Sequence, residues 1–257
     1  MKQTNKMTEI KKHLDYIKLS GIKECFEESI AAAEREGMSY TDFLLHILQN
    51  ESDHKRNKKI ERLQKESKLS AEKTFATFDM NRIPLKVRQK VKSIIDGGFI
   101  DRKENILVFG QPGTGKTHLI SAIAFKQIES GRKVLFTSCA LIVQKLLIAK
   151  KNLELEKYMR MLSKFEAVII DDIGYVQQDR EEMEVLFTFL AERYERGSLM
   201  ISSNLPFSKW DKIFKDPMTT AAAIDRIVHH SIILELNILS YRAEHAKKIL
   251  KEADNGT

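Results

Sequence analysis

The sequence predicts an α/β chain, a five-stranded parallel sheet with helices on both faces, preceded by a small all-helical N-terminal domain. From residue 1 to 83 there is no proline and only two glycines, Gly21 and Gly37, while apolar residues recur at helical spacing. Beyond residue 105 short apolar runs alternate with helix-length segments, as expected of parallel strands joined by crossover helices. Between these regions the composition shifts near Phe75 to Pro84, which divides the chain into residues 1–75 and 76–257.

In the first part, Ile10, Leu14 and Ile17 mark one helix, and Ile22, Phe26, Ile30 and Ala33 a second. Ser39 is placed to cap a third, whose Phe43, Leu44, Ile47 and Leu48 form an apolar stripe. The charged run from Glu51 to Lys73 reads as a solvated connecting helix. The strands are expected at 106–109 (ILVF), 133–137 (KVLFT), 167–170 (AVII), 199–202 (LMIS) and 232–236 (IILEL). There is no internal repeat and no low-complexity tract.

A chain of 257 residues that is 42% hydrophobic and 31% charged can bury a sizeable core, which excludes general disorder. Its two cysteines, Cys25 and Cys139, lie far apart without neighbouring histidines, so they support neither a disulfide framework nor a cysteine zinc site and read as reduced and buried. No stretch approaches 18 uncharged apolar residues, and MKQTNKMTEI lacks the apolar middle of a signal peptide, so a cytoplasmic protein with no membrane partner is expected.

Lys and Arg number 43 against 36 Asp and Glu, a net +7 that suits a polyanionic partner. The excess is local. Residues 80 to 105 carry seven basic against three acidic side chains and residues 144 to 165 six against two, whereas 166 to 204 carry nine acids against three bases, concentrated around Asp171 and Asp172. An acidic metal pocket inside a basic nucleic-acid binder has this pattern.

Gly110-Gln111-Pro112-Gly113-Thr114-Gly115-Lys116-Thr117 follows the ILVF run directly, and His118 opens the apolar segment HLISAIAFKQI. Glycines allow the backbone to curl so that successive N–H groups face phosphate oxygens, and the following helix N-terminus adds partial positive charge. In such a loop Lys116 reaches the β- and γ-phosphates and Thr117 offers a hydroxyl to Mg²⁺. Ala167-Val-Ile-Ile-Asp171-Asp172 is an apolar run ending in two carboxylates, placed for Asp171 to hold the metal and Asp172 to polarise water. Ser198-Leu-Met-Ile-Ser-Ser-Asn204 ends another run at the same sheet edge, where Asn204 can orient water against the γ-phosphate.

With these three motifs in order, the chain resembles AAA+ ATPases of the DnaA and DnaC initiator and helicase-loader clade. Phe75-Ala-Thr-Phe-Asp-Met, Leu186-Phe-Thr-Phe-Leu-Ala-Glu-Arg-Tyr-Glu-Arg196 and Ser202-Ser-Asn-Leu-Pro-Phe-Ser-Lys-Trp210 are similar to the IstB family of insertion-sequence transposition helper ATPases. The resemblance implies a sheet order of 5-1-4-3-2, Mg²⁺-dependent ATP hydrolysis at subunit interfaces, assembly as a homo-oligomer on double-stranded DNA, and a partner transposase. Residues Gly110 to His118 would hold the nucleotide. Ala223-Ile-Asp225-Arg226-Ile227 matches the segment that places an arginine finger, so Arg226 would reach a neighbour's γ-phosphate. Arg193 is a second candidate whose alternative is pairing with Glu192, Glu195 or Glu184, and Arg242 a candidate γ-phosphate sensor.

By the same resemblance, residues 138–165 would face nucleic acid, with Lys145, Lys150 and Lys151 as DNA contacts, followed by Lys86, Arg88, Lys90 and Lys92. Leu141, Leu146 and Leu147 there read as packing residues. The chain departs from the clade in two places. About 20 residues follow the fifth strand, which implies an absent or minimal C-terminal lid. Asp172 stands where many members carry glutamate, one methylene longer, which implies slow or partner-dependent hydrolysis. The rival readings are a DnaC-like loader acting on single-stranded DNA, a small-molecule phosphotransferase, and a nucleotide-gated scaffold without turnover.

Overall fold

Helical spacing in the first part of the chain yields three helices, α1 (Lys2–Tyr16), α2 (Ser20–Glu36) and α3 (Tyr40–Ser67). A computed structural model describes residues 2–174, 179–210 and 217–241 of the chain. It falls into two compact units, Met1–Arg62 and Leu63–Thr257. In the first, Leu14, Ile22 and Phe26 are buried and pack with Met7, Leu19, Ile30 and Ile47. Glu51 of α3 accepts the Ile22 N–H at 2.9 Å, so a carboxylate from one helix satisfies an open donor at the start of another. The Ser39 hydroxyl accepts the Asp42 N–H at 3.1 Å and so caps α3 as expected.

Four expectations for this part of the chain are corrected. α3 runs unbroken to Ser67, so most of the charged run is the third helix itself rather than a separate connector. Of its proposed stripe only Ile47 joins the buried cluster, while Leu44 and Leu48 are about half exposed, at 54% and 47%. Ile17 lies past the end of α1 and is exposed, and Cys25 is half-buried rather than buried.

In the second unit a 3₁₀ turn (Met80–Arg82), α4 (Leu85–Ile94) and a single turn, α5 (Gly98–Asp101), lead into β1 (Asn105–Gly110). There follow α6 (Lys116–Glu129), β2 (Val134–Ser138), α7 (Cys139–Lys151), α8 (Leu155–Leu162), β3 (Ala167–Ile173), α9 (Arg180–Arg193), β4 (Ser198–Ser203), a 3₁₀ turn (Phe207–Lys209), α10 (Pro217–Val228) and β5 (Ser231–Leu236). The strands form one sheet in the order β2-β3-β4-β1-β5, every pair parallel, which is the 5-1-4-3-2 order read from the other edge.

The strands are largely apolar in their middles because both faces are covered. Leu107, Val168, Ile170, Leu199 and Ile201 pack under α7, α8, α9 and α10. Side chains of the opposite parity, including Ile106, Val108, Ile169 and Met200, are also fully buried, and α6 packs on β1, β2 and β4. Cys139 is buried and takes part in no disulfide among the described residues. Leu146 is fully buried and Leu147 packs against the same core, but Leu141 is 41% exposed, contrary to its expected packing role.

Two buried polar side chains tie the sheet together where sequence periodicity gave no sign of them. Asn105 accepts the Leu199 N–H at 2.8 Å and donates to the Ile227 carbonyl at 3.0 Å, joining β1, β4 and α10. Arg193, 4% exposed, donates to the carbonyls of Leu162, Phe165, Glu166 and Ser198 at 3.4, 2.8, 3.1 and 3.0 Å. Burial lowers its pKa to about 10. Its partners are therefore backbone oxygens around the starts of β3 and β4, not the nearby glutamates.

Gly197 leaves room for this guanidinium, since a Cβ there would lie 2.4 Å from one of its nitrogens. Arg193→Ala strands four buried carbonyl contacts and is expected to cost at least about 3 kcal/mol in urea unfolding. An unchanged midpoint would contradict this role.

Candidate nucleotide site

The order of the sheet sets the site, because β4 lies between β1 and β3 and all three point the same way. Their C-terminal ends bring the phosphate loop, Asp171 and the Ser202–Asn204 segment to one edge, where parallel α/β sheets place ligands. There they line a cavity of about 750 Å³, walled by residues 112–118, Asp171, Asp172 and Asn204. It is completed by Lys73, Thr77, Phe78, Asp79, Arg82 and Ile83 from the linker before β1, and by Ile238 and Tyr241 from the segment after β5.

Gly115 caps α6 with φ +89, a left-handed conformation that glycine adopts without strain, and it aims the first N–H groups of α6 into the cavity. Lys116 is 6% exposed and its Nζ donates to the Gln111 carbonyl at 3.1 Å, which folds the lysine back along its own loop. Thr117 Oγ1 donates to Asp171 Oδ1 at 3.0 Å, and the Ser202 hydroxyl donates to the same oxygen. Asp171 is 8% exposed. Burial raises its carboxyl above the usual carboxylate range and the charge of Asp172 adds to the rise, against the opposing pull of Ser202, Thr117 and Lys73.

Asp172 stands differently. The β3–β4 register breaks between Ile170 and Ile173, and Asp172 has φ 58. Its N–H donates to Ser202 Oγ at 2.8 Å while its side chain is exposed in the cavity wall. The irregularity thus lets two successive acids serve one site, although neighbouring residues of a regular strand point to opposite faces. Asn204, which lines the cavity, has a buried Oδ1 with no hydrogen-bond partner among the described residues.

Gln111 and His118 are placed less simply than the sequence implied. Gln111 is exposed and acts through its carbonyl, which receives the Lys116 ammonium. His118 Nε2 lies 3.0 Å from the Thr74 carbonyl and 3.1 Å from the Thr77 hydroxyl, and its ring meets Phe78 edge-on at 5.1 Å. A carbonyl only accepts, so the proton sits on Nε2.

Arg226 is not in the cavity wall. It lies on α10, half-buried, with its guanidinium 5.0 Å from the centre of the Phe187 ring of α9. Arg242 and the segment after it lie outside the described residues. Of the expected DNA contacts, Lys86 and Lys151 are exposed, Lys150 pairs with Glu184 at 3.0 Å, and Lys145 is half-buried beside Lys68, whose charge joins burial in lowering its pKa. Arg88 donates to Asn81 and to the Ile83 carbonyl at 3.4 Å, and Lys90 donates to the Ile233 carbonyl at 3.0 Å, so both fasten the linker to its own unit.

Sequence reading missed Lys73, Phe78, Arg82, Ser202 and Tyr241. Ser202 shares strand parity with Asn204, a signal that was present. Phe78 sits in the Phe75-Ala-Thr-Phe-Asp-Met stretch noted only as a family mark, with Lys73 and Arg82 just outside it.

A family described as IstB-like ATP binding protein matches residues 12–249. The chain belongs to this family. It is 40% identical over 234 residues to an insertion-sequence ATP-binding protein of Sinorhizobium fredii, covering 91% of this chain and 78% of that one. It is 38% identical to an insertion-sequence ATP-binding protein of Geobacillus stearothermophilus, covering 82% and 84%. Among solved structures it is similar to AMPPCP-bound DnaA from Aquifex aeolicus, with TM-score 0.57, 19% identity, and coverage of 72% of this chain and 57% of that one. It is likewise similar to the DnaC helicase loader, with TM-score 0.52, 15% identity, and coverage of 58% and 88%. The IstB-like chain is therefore an ATPase with the AAA+ fold.

The raised Asp171 carboxyl has a stability consequence. A carboxyl whose folded pKa is raised contributes stability below its unfolded pKa, and this is lost as pH rises through the folded pKa. Above the unfolded pKa, Asp171 therefore costs the nucleotide-free protein stability. Asp171→Asn is expected to raise the melting temperature of the nucleotide-free protein by about 2–4 °C per kcal/mol relieved, the gain narrowing as pH falls, while ATP turnover disappears. A lower melting temperature with normal turnover would contradict this account.

Proposed function

We propose that this ATPase assembles on duplex DNA when it binds ATP, assists a partner transposase in insertion-sequence transposition, and leaves the DNA after hydrolysis. The observation that carries the reading is the separation of Arg226 from its own cavity. A guanidinium held over Phe187 on another face of the unit suits a role at a neighbouring copy's γ-phosphate, where a fork of donors stabilises transition-state charge. ATP then becomes the bridge between copies, and assembly is linked to nucleotide. The insertion-sequence relatives, which align with most of the chain, supply the biological setting.

Within one site, Lys116 exchanges its Gln111 carbonyl for phosphate oxygens, and the α6 N-terminus adds its dipole. The hydroxyl of Thr117 and the carboxylate of Asp171 form a hard oxygen pair that fits Mg²⁺, with the remaining positions left to water and phosphate. Held by these two residues, Mg²⁺ would supply neutralisation of phosphate charge. Asn204 fixes the attacking water through its unsatisfied Oδ1, and Asp172, exposed at the cavity wall, accepts from that water. Lys68, Lys145 and Lys151 on the α7 side give salt-sensitive contacts to DNA phosphates, and the N-terminal helices serve assembly or partner binding.

Anisotropy of labelled duplex and single strands, with ATP, ADP or no nucleotide at two salt concentrations, tests the DNA step. Tight duplex binding only with ATP is expected, weakening steeply with salt. A preference for single strands would replace this reading with a helicase loader, and no binding to either would favour a phosphotransferase.

Arg226 is tested by complementation. Lys116→Ala should lose ATP-dependent assembly, and Arg226→Ala should bind ATP normally but fall at least about a hundredfold in turnover. Mixing the two should restore part of the activity, since one supplies an intact site and the other an intact finger. Full turnover by Arg226→Ala alone would remove the residue from the mechanism.

A further inference from the structure

The linker stretch 72–79 is built as a knot against the phosphate loop. The Thr77 hydroxyl accepts the Thr74 N–H at 3.2 Å and donates back toward the carbonyls of Glu72 and Thr74, closing the backbone on itself. His118, in the first turn of α6, grips the knot through the Thr74 carbonyl and the Thr77 hydroxyl. Phe78 then lies against the loop so closely that a Cβ on Gly115 would come within 3.2 Å of its ring. Three contacts thus register a segment that precedes the sheet by some thirty residues onto the loop that holds the phosphates.

This registration brings Lys73 into the cavity wall with Lys116, Thr117, Asp171 and Asp172. Lys73 is half-buried, its N–H donates to the Ser70 carbonyl at 3.2 Å, and its ammonium makes no hydrogen bond or ion pair among the described residues. The other cations of the cavity have partners. Lys116 donates to Gln111, and Arg82 lies over the Tyr241 ring at 5.1 Å and donates to the Leu239 carbonyl at 3.5 Å. A half-buried ammonium with no fixed partner is costly unless an anion arrives to meet it. Its charge is felt at Asp171, which places it toward the end of the cavity where the terminal phosphate belongs.

We propose that Lys73 is a second phosphate-binding residue of the ATP site, contacting the terminal phosphate opposite Lys116, and that His118 is its positioning residue through the Thr74–Thr77 knot. This rests on the nucleotide reading of the cavity and adds to it a residue from outside the phosphate loop.

The test is equilibrium binding of ADP and of the non-hydrolysable analogue AMPPCP to the full chain in Mg²⁺ buffer. Lys73→Met is expected to weaken AMPPCP roughly tenfold or more while changing ADP by less than about threefold, the size of one charge-assisted contact. Lys73→Arg should retain most of the AMPPCP affinity. His118→Ala should reproduce the selective loss, His118→Gln should recover part of it by donating to the Thr74 carbonyl, and Lys73→Met/His118→Ala should be no worse than Lys73→Met. Equal losses for both nucleotides, or none, would overturn the phosphate contact, as would full additivity in the double variant for the positioning role. Lys116→Ala is the control, because if it leaves both affinities intact the nucleotide reading fails rather than the role of Lys73.

Discussion

The hydrogen-bonded node at Asp171 Oδ1 is the constraint on which the site depends. Thr117 from α6 and Ser202 from β4 both donate to this one oxygen, so a single buried acceptor fixes the helix after the phosphate loop against two neighbouring strands. The node exists only because β4 is inserted between β1 and β3. Asp171 also lines the cavity, so the same side chain that ties the elements together faces the site. Burial, which makes this carboxylate costly to ionise, also makes its charge act at short range and low dielectric on whatever enters.

Around that node the site is assembled from both ends of the second unit. The linker before β1 and the segment after β5 close the cavity, and the Tyr241 N–H donates to the Gly113 carbonyl at 2.9 Å. The cavity thus has a composite wall, made by a short loop and two segments distant in sequence.

Most of this was legible in the sequence because it rests on local patterns. Five apolar runs became the five strands, β3 alone running three residues further because its two acids stay in the strand. Gly110 to Thr117, Asp171 and Asn204 arrived at one edge as their positions at strand ends require. What was not legible depends on long-range contacts. Nothing local distinguishes Arg193 in a run rich in glutamates from a surface arginine, and Asn105 reads as a polar residue at the start of a strand. Lys73 was hidden in a charged run, since its place in the cavity follows from a knot and a histidine 45 residues later. The stripe on α3 failed for a related reason, because helical spacing marks an apolar face without saying what covers it.

Arg193 also bears on how the sheet finds its pairing. Its guanidinium recovers the hydration it loses only when the end of α8, the start of β3 and the start of β4 all stand in their native places, each offering a carbonyl. β3 and β4 are apolar on both faces, so side-chain burial alone discriminates weakly against a slip along the strand. A slipped pairing would leave a buried cation short of acceptors, a penalty far larger than that of a mismatched valine or isoleucine. The residue thus acts as a proofreader of strand alignment at the centre of the sheet, and the alignment it checks is the one that sets Ser202 beside Asp171.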